Sequence, residues 1–214
     1  MTIHLIKPKA VLFDWDNTLV STWDVLHTAI NVTFEKYGLP QYTLEQLKLN
    51  AHQSSREAFP GLFGDSWKEA QDFFYENITL YHLEELQTMP GALALLDFLT
   101  DKKIQSGVVS NKKSSMLVKE IDFLNWSPFF GVVVGSGDTE RDKPAPDPIL
   151  FALEKLGLKA SPDIWFMGDT IVDWQAAKAS GCQPIALGEA CAPESDVPVV
   201  SDCHHLLEIL SDLL

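Results

Sequence analysis

The amino-acid sequence predicts an α/β fold, in which a doubly wound parallel sheet carries an inserted helical module. Two observations predict the sheet: short apolar runs that end abruptly in polar residues, and helical patterns that lie between those runs. A third observation predicts the insertion. The alternation of strand and helix stops after the first strand and resumes only near residue 89, so the intervening segment forms a separate module.

Four apolar runs are typical of strands buried inside a parallel sheet. They are residues 10–13 before Asp14, residues 108–109 before Ser110, residues 132–134 before Gly135, and residues 164–167 before Gly168. The helix expected after the third run has recognisable ends, with Asp147 as N-cap, Pro148 at the first helical position and Gly157 as the stop. This alternation predicts a Rossmann-like core.

Residues 21–88 show helical patterns only. Thr22 is expected to cap a first helix, and Thr43 with Gln46 forms a capping-box pattern for a second. A third helix is expected from about Ser66, and the run FPGLFG that precedes it is interpreted as a loop. Aromatic residues on these helices are expected to form the core of the module.

The predicted domains are an α/β core domain of residues 1–20 and 89–214, and an α-helical cap domain of residues 21–88. Ligands of open α/β sheets bind beyond the carboxyl ends of the strands, so a module that follows the first strand is placed to cover the site. Within it, Arg56 and His52 are the candidate substrate contacts. The alternative for Arg56 is a side chain that faces solvent.

The composition excludes several classes of partner. The formal net charge is −14, from 16 basic and 30 acidic residues, and such a surface repels nucleic acid and anionic lipid. No apolar run approaches the ~20 residues of a membrane span. We therefore expect no nucleic-acid partner, no membrane partner and a cytoplasmic location. A small anionic substrate would need a local positive site.

The three cysteines, Cys182, Cys191 and Cys203, include no CxxC pair. Free thiols in a reducing compartment are the expected state. A zinc site that includes His204 and His205 is the less favoured alternative, because the spacing matches no structural zinc pattern.

Seven polar residues follow the predicted strands directly or lie in the helix starts and loops beyond them. They are Asp14, Asp16, Ser110, Asn111, Lys143, Asp169 and Asp173. Taken alone, the last two indicate helix capping, with Asp169 as the cap, and the lysine reads as an ordinary loop residue. Taken together, they lie at one edge of a parallel sheet.

Four carboxylates at one edge would repel one another by roughly 4 kcal/mol per close pair at an effective dielectric near 20, so the cluster needs a cation. Carboxylate oxygens favour Mg²⁺, which keeps waters and substrate phosphate in its shell. A magnesium site beside a serine, a lysine and helix-start amides predicts a phosphate-binding site.

These residues resemble the four motifs of the haloacid dehalogenase superfamily of phosphohydrolases. The motifs are DWDNT, the strand end with Ser110 and Asn111, Lys143 in DKPAPDP, and GDTIVD at 168–173. Within that superfamily the chain is similar to the branch with a helical cap inserted after the first motif, which includes the phosphoglycolate phosphatases and the β-phosphoglucomutases. The resemblance covers essentially the whole chain.

The resemblance implies that Asp14 attacks phosphorus and forms an aspartyl-phosphate. It implies that Asp16 protonates the leaving oxygen and then takes a proton from the hydrolytic water. The backbone carbonyl of Asp16 would join Asp14 and Asp169 around Mg²⁺, and Asp173 would support the metal. An acid two residues after the nucleophile also distinguishes phosphate-ester chemistry from the dehalogenases and the phosphonate-cleaving branch.

The remaining motif residues are expected to bind the phosphoryl group of the substrate. The resemblance implies that Ser110 and the backbone amide of Asn111 hold phosphoryl oxygens, and that Lys143 neutralises charge as the nucleophile approaches. Trp15 lies between the two aspartates, and strand alternation predicts that it packs in the core.

The function we expect is Mg²⁺-dependent hydrolysis of a small phosphate monoester, such as phosphoglycolate or a sugar phosphate. The partner would be a small phosphorylated metabolite, and the protein a monomer or a small homo-oligomer. Two alternatives stay open: a hexose phosphomutase, in which the phosphoryl group returns to the substrate, and a non-catalytic binding module on the same fold.

Overall fold

The computed structural model of the chain describes residues 5–50, 55–84, 86–188 and 197–214, without the side chains of residues 56 and 57. The chain divides into two compact units. One comprises residues 1–20 with 88–214, and the other residues 21–87. The prediction placed the corresponding boundaries after residues 20 and 88.

The first unit is built on a six-stranded sheet in the order β5-β4-β1-β6-β7-β8. Together with two short strands that form a separate sheet, β2 and β3, the strands are β1 (Ala10–Phe13), β2 (Val20–Ser21), β3 (Gln87–Thr88), β4 (Gln105–Lys113), β5 (Val132–Ser136), β6 (Ile164–Gly168), β7 (Gln183–Leu187) and β8 (Val199–Val200). Every neighbouring pair in the large sheet is parallel. The carboxyl ends of its strands therefore lie at one edge.

From β3 to β7 the α-helices found in the described ranges alternate with the strands, whereas four helices follow one another between β2 and β3, and the last helix follows β8. They are α1 (Trp23–Lys36), α2 (Leu44–Asn50), α3 (Ser55–Phe63), α4 (Trp67–Tyr81), α5 (Ala92–Asp101), α6 (Ser114–Phe123), α7 (Asp147–Leu156), α8 (Ile171–Ser180) and α9 (Cys203–Leu213). Segments Gly64–Ser66 and Ser127–Phe129 form short 3-10 helices. In the described part of the chain, no helix is both long and apolar enough to span a bilayer.

The strands β1 and β6 at the centre of the sheet are buried over their whole length, so both faces of the sheet are covered. On one face, alternate residues such as Leu12 and Phe166 pack against Ile149 and Leu153 of α7 and Ala177 of α8. This arrangement confirms the predicted doubly wound α/β fold with its Rossmann-like parallel sheet.

The second unit has an aromatic core. Phe34 of α1 makes an edge contact with Tyr42, with ring centroids 4.8 Å apart, and lies 5.8 Å from Phe63. Phe59 packs against both Phe63 and Phe74 of α4. Each such pair contributes about 0.5–1.5 kcal/mol beyond the burial of its area, so this cluster stabilises the packing of the helices.

The interpretation of FPGLFG as a loop is wrong, because most of this run lies in helix α3 and includes Pro60 in its interior. A proline costs about 3 kcal/mol and a glycine about 1 kcal/mol inside a helix. Burial of Phe59, which is 3% exposed, offsets about 1.5–3 kcal/mol of this cost, and the aromatic pairs of Phe59 and of the half-buried Phe63 offset about 0.5–1.5 kcal/mol each. Local propensity favoured a loop, and tertiary contacts favour the helix.

The start of helix α7 also differs from the prediction by one residue. Pro146 occupies the N-cap position and Asp147 the first helical position, while Gly157 ends the helix in the left-handed region. The capping box predicted from Thr43 and Gln46 is present, with reciprocal hydrogen bonds of 2.8 and 3.2 Å. Helix ends are the least sharply defined parts of helices, so a shift of one residue is small.

Candidate active site

Asp14 lies where the central strand β1 ends. Its backbone N–H donates to the carbonyl of Met167 at 2.8 Å, which extends the pairing of β1 with β6, and its side chain is buried. Burial raises the pKa of this carboxyl to about 6, against the opposing effect of Lys143. At neutral pH most of the carboxylate is therefore ionised without a neighbouring base.

Lys143 joins two carboxylates inside the site. Its Nζ donates to Oδ1 of Asp14 at 2.8 Å and to Oδ1 of Asp173 at 2.7 Å, and the residue is 5% exposed. Burial alone would lower the pKa of the ammonium, but the two carboxylates outweigh it and raise the pKa. Lys143 is thus a fixed positive charge beside Asp14.

Asn111 fixes the backbone of Lys143. Its side-chain Nδ2 donates to the carbonyl of Lys143 at 2.9 Å, and its Oδ1 accepts from the backbone N–H of Lys143 at 3.0 Å. Two hydrogen bonds in opposite directions hold the third motif to the second across 32 residues of sequence. This use of the Asn111 side chain was not predicted.

Asp173 is buried in the first turn of α8, where it forms a capping box with Thr170. Its Oδ2 accepts from the backbone N–H of Thr170 at 2.9 Å and from the Thr170 hydroxyl at 2.6 Å. The prediction that Asp169 caps this helix is therefore wrong, because Thr170 occupies that position. Gly168 makes room for the arrangement, since a Cβ there would overlap with Cγ of Asp173.

Asp14, Asp169 and Asp173 form a carboxylate cluster, with one oxygen of each within 4.8 Å of the others. Burial raises the pKa of Asp169 to about 8, and repulsion from Asp14 and Asp173 adds to the shift. Three carboxylates share one lysine, so the cluster carries surplus negative charge when it is ionised. Oxygen ligands with surplus charge fit a divalent cation such as Mg²⁺.

Asp16 is not part of this carboxylate cluster. Its Oδ1 accepts from Nζ of Lys112 at 2.7 Å, and Lys112 also pairs with Oε1 of Glu120 at 2.8 Å. Burial alone would lower the pKa of Lys112, but the two carboxylates raise it. The chain turns directly after Asp16, where Asn17 adopts a left-handed conformation with φ of 59°. The resemblance implies a metal contact from the backbone carbonyl of Asp16, and this stays a prediction.

Ser110 and Asn111 were predicted to follow a strand, but β4 continues through them to Lys113 with a shift in register after Val109. Ser110 is buried, and its Oγ accepts from the backbone N–H of Lys112 at 3.2 Å. Its own hydroxyl hydrogen remains available as a donor to a phosphoryl oxygen.

Four residues of the site were missed by the sequence analysis: Lys112, Glu120, Thr170 and Thr18, whose Oγ1 lies 3.4 Å from Oδ1 of Asp169. Glu120 had a detectable signal. It lies on the apolar side of α6 that also carries Met116, Leu117 and Ile121, and a charged residue on such a face needs a buried partner.

The candidate substrate contacts of the helical unit cannot be placed. His52 lies outside the described residues, and so does the side chain of Arg56, whose backbone belongs to α3. Cys182 and Cys203 are free and buried, and Cys191 lies outside the described residues. Among the residues that the structure describes, the three aspartates are the only candidate metal group.

Three comparisons with known proteins agree with this geometry. A family model described as haloacid dehalogenase-like hydrolase matches residues 11–187. Phosphoglycolate phosphatase of Chromobacterium violaceum is 28% identical over 202 residues, which cover 90% of each chain. The crystal structure of a HAD-superfamily hydrolase from Ehrlichia chaffeensis is 30% identical, covers 98% of this chain and 99% of its own, and has a TM-score of 0.71.

A haloacid dehalogenase-like family protein from Streptococcus pneumoniae shares the fold with a TM-score of 0.82, at 23% identity and with 97% of this chain covered and 99% of its own. The family model spans well over half of the chain and includes every residue of the carboxylate cluster. The predicted family is therefore confirmed, and the chain belongs to the haloacid dehalogenase-like hydrolases.

Proposed function

We propose that the protein is a Mg²⁺-dependent phosphatase that hydrolyses a small phosphate monoester through a phosphorylated Asp14. The observation that carries this proposal is the buried Lys143 ammonium, 2.8 Å from Asp14 and 2.7 Å from Asp173, beside a third carboxylate. An anionic nucleophile can meet an anionic phosphate only where positive charge is fixed next to it. Several relatives named phosphoglycolate phosphatase support the same chemistry.

In the first half-reaction Asp14 attacks phosphorus, and the bond from phosphorus to the leaving oxygen breaks. Lys143 donates to Oδ1 of Asp14, so we assign the attack to Oδ2. Asp16, protonated at this stage, gives its proton to the leaving oxygen, and the alcohol departs. The products of this step are the aspartyl-phosphate and the Asp16 carboxylate.

In the second half-reaction Asp16 takes a proton from a water molecule as the water attacks phosphorus. The bond between phosphorus and the Asp14 oxygen breaks, inorganic phosphate leaves, and Asp16 is protonated again for the next turnover. Ser110, the amide of Asn111 and Lys143 are proposed to hold the phosphoryl oxygens throughout.

Asp14, Asp169 and the backbone carbonyl of Asp16 are proposed to hold Mg²⁺, with Asp173 supporting the site from α8. When bound, the ion would neutralise the surplus charge of the cluster and polarise the phosphoryl group. The raised pKa values of Asp14 and Asp169 support this assignment, because burial and, to a smaller extent, repulsion between the carboxylates disfavour the charged forms, and a bound cation would offset both.

The substrate is proposed to be a small phosphorylated metabolite, with phosphoglycolate and sugar phosphates first. Relatives named phosphoglycolate phosphatase over 81–96% of this chain motivate the first choice. The helical unit of residues 21–87 is proposed to act as the substrate cap, with Arg56 and His52 as candidate contacts. A cytoplasmic location, where such metabolites occur, is part of the same proposal.

A panel of phosphorylated metabolites with Mg²⁺ tests the proposal. We expect release of inorganic phosphate from at least one small monoester, loss of that release with a chelator, and no turnover by Asp14→Asn. The intact-protein mass after acid quench should show one added phosphoryl group in the wild type only. A panel with no turnover, or an active Asp14→Asn variant, would refute the proposal.

The same panel separates the two alternatives. The motif residues could transfer the phosphoryl group either to water or back to a sugar hydroxyl. A hexose phosphomutase would therefore convert one sugar phosphate isomer into another and release little inorganic phosphate. A non-catalytic binding module would bind neither Mg²⁺ nor the phosphate analogue beryllium fluoride. Calorimetric titration with both ligands measures that outcome directly.

A further inference from the structure

A second buried lysine cluster adjoins Asp16. Lys112 Nζ lies 2.7 Å from Oδ1 of Asp16 and 2.8 Å from Oε1 of Glu120, and the indole Nε1 of Trp15 donates to Oε2 of Glu120 at 2.6 Å. The four side chains thus form one continuous chain of hydrogen bonds, from the buried indole to the carboxylate of Asp16.

Three members of this chain are fixed. Glu120 is fully buried in α6, Trp15 is fully buried against Trp126 and Phe130, and the side chain of Lys112 is only 10% exposed. Both carboxylate oxygens of Glu120 have a donor, so the buried charge is satisfied. The chain is therefore anchored at the end distant from Asp16.

The fourth member, Asp16, is the open end, with a side chain that is 30% exposed. It lies in the turn after β1, where an aspartate held by nothing else would sample several rotamers. The hydrogen bond from Lys112 selects one position for Oδ1, and it leaves Oδ2 as the oxygen that exchanges a proton.

Stability alone does not account for such a cluster. Replacing a buried ion pair with apolar residues of similar volume is often neutral or stabilising. A buried network of this kind is better explained by the geometry that it imposes on its one exposed member.

We propose that Glu120 and Lys112 are positioning residues that hold the Asp16 carboxylate for proton transfer to and from the phosphate ester, with Trp15 securing Glu120. The inference rests on the proposed function, because it concerns the acid and base of that reaction.

The test compares Lys112→Met, Lys112→Arg and Glu120→Gln with the wild type. Lys119→Met is the matched control, since Lys119 is an exposed lysine next to Glu120 on the same helix. We measure kcat/KM for two substrates: an alkyl phosphate that the wild type hydrolyses, and 4-nitrophenyl phosphate. This parameter covers the steps up to departure of the leaving group.

An alkoxide needs a proton as it leaves, whereas a nitrophenolate does not. Lys112→Met and Glu120→Gln should therefore lower kcat/KM about 10- to 100-fold for the alkyl phosphate and less than about 3-fold for 4-nitrophenyl phosphate. Lys112→Arg should restore part of the loss, and Lys119→Met should change neither value. If the two residues had only a structural role, the variants would lower kcat/KM by the same factor for both substrates.

The double variant Lys112→Met/Glu120→Gln gives a second readout. Since both residues act through the same carboxylate, the double variant should be no worse than the poorer single variant. The proposal is overturned if kcat/KM falls equally for the two substrates or does not fall at all. It is also overturned if the losses of the two single variants multiply in the double variant. Thermal unfolding of each variant identifies any that fail to fold.

An NMR measurement tests whether Glu120 holds Lys112 in place, and it needs no enzymatic turnover. Lysine ammonium groups give proton–nitrogen correlations when hydrogen bonding slows their exchange with water, and Lys112 should give one that Lys112→Met removes. Glu120→Gln should shift or abolish it, and Lys119→Met should not. An unshifted signal in Glu120→Gln overturns the anchoring, whereas a wild type that hydrolyses no monoester refutes the proposed function instead.

Discussion

Two lysines are each held between two carboxylates in this protein, and the two clusters differ in net charge. Lys143 pairs with Asp14 and Asp173, and a third carboxylate, Asp169, lies within the same cluster. Lys112 pairs with Asp16 and Glu120, and the second oxygen of Glu120 is satisfied by a neutral indole.

The difference indicates which of the two clusters is suited to a divalent cation. In the Lys143 cluster one positive charge faces three carboxylates, and the pKa of Asp169 is raised to about 8 by burial and by its acidic neighbours. The Lys112 cluster has one positive charge for two carboxylates, one of which is partly exposed to solvent. Only the first has a surplus large enough to favour a divalent cation.

The comparison is tested most strongly by Lys143→Met, which removes the fixed charge beside Asp14 and keeps an aliphatic side chain. We expect kcat/KM to fall about 10³-fold, equivalent to roughly 4 kcal/mol of transition-state stabilisation. Steady-state kinetics on the best substrate of the panel measure the effect.

Lys112→Met, measured on the same substrate, is the comparison variant, and it should lower kcat/KM less than Lys143→Met does. A loss under about 10-fold for Lys143→Met, or a larger loss for Lys112→Met, would reverse our ranking of the two clusters.

The next largest effect is expected for Trp15→Phe, which removes the indole donor from the buried Glu120. The variant loses a hydrogen bond to a charged group and part of a buried ring, and the two losses together should lower the free energy of unfolding by roughly 3 kcal/mol. Urea denaturation, with fluorescence and circular dichroism as independent probes, measures it.

Trp165→Phe is the matched control. Trp165 is equally buried, but its indole Nε1 has no hydrogen-bond partner among the described residues. Its replacement should lose only the contacts of the larger ring. If both variants lose the same free energy, the bond between Trp15 and Glu120 contributes nothing to stability.

The sequence predicts the two clusters to different extents, for a physical reason. Asp14, Lys143 and Asp169 each follow a strand or lie in a short motif, so strand order alone brings them to one edge. Glu120 is 105 residues from Trp15, and no local pattern relates the two. Only the charge on an apolar helix face indicated that Glu120 is buried, and that signal names no partner.

Helix α3 shows the same limit. Its proline and glycine predict a loop, but burial of Phe59 and the contacts that Phe59 and Phe63 make with aromatic rings outside α3 favour the helix. Local chemistry therefore predicts the strand-end motifs well, but it does not predict contacts between helices that are distant in sequence.

A smaller effect is expected from Gly168→Ala, which tests the backbone support of the Lys143 cluster. An added Cβ would overlap with the Asp173 side chain, so either Asp173 moves away from Lys143 or the helix start shifts. We expect the free energy of unfolding to fall by about 2 kcal/mol and the transition temperature by about 4–8 °C. Calorimetry measures both.

Gly61→Ala in α3 is the control, since nothing lies within 4 Å of an added Cβ there. This variant should gain about 0.5–1 kcal/mol from the better helix propensity of alanine. An unchanged transition temperature in Gly168→Ala would mean that the end of β6 tolerates a side chain. The close approach of Asp173 to Gly168 would then contribute nothing to stability.

The smallest effect concerns the surplus charge itself. Between the ordinary pKa of 3.8 and about 8, the folded Asp169 holds a proton that the unfolded chain has lost. Because the folded state binds more protons, the metal-free protein loses stability as the pH rises through this window. Asp169→Asn should therefore raise the transition temperature of the metal-free protein at pH 8 by roughly 2–4 °C.

The same variant should lose most of the stabilisation that Mg²⁺ gives the wild type, because bound metal replaces the protons of the cluster. Asp212→Asn, an exposed aspartate of α9, should behave as the wild type in both measurements. Differential scanning fluorimetry from pH 5 to pH 8, with and without Mg²⁺, compares them. If Asp169→Asn lowers the metal-free transition temperature at pH 8, the cluster carries no surplus charge, and the contrast between the two lysines fails.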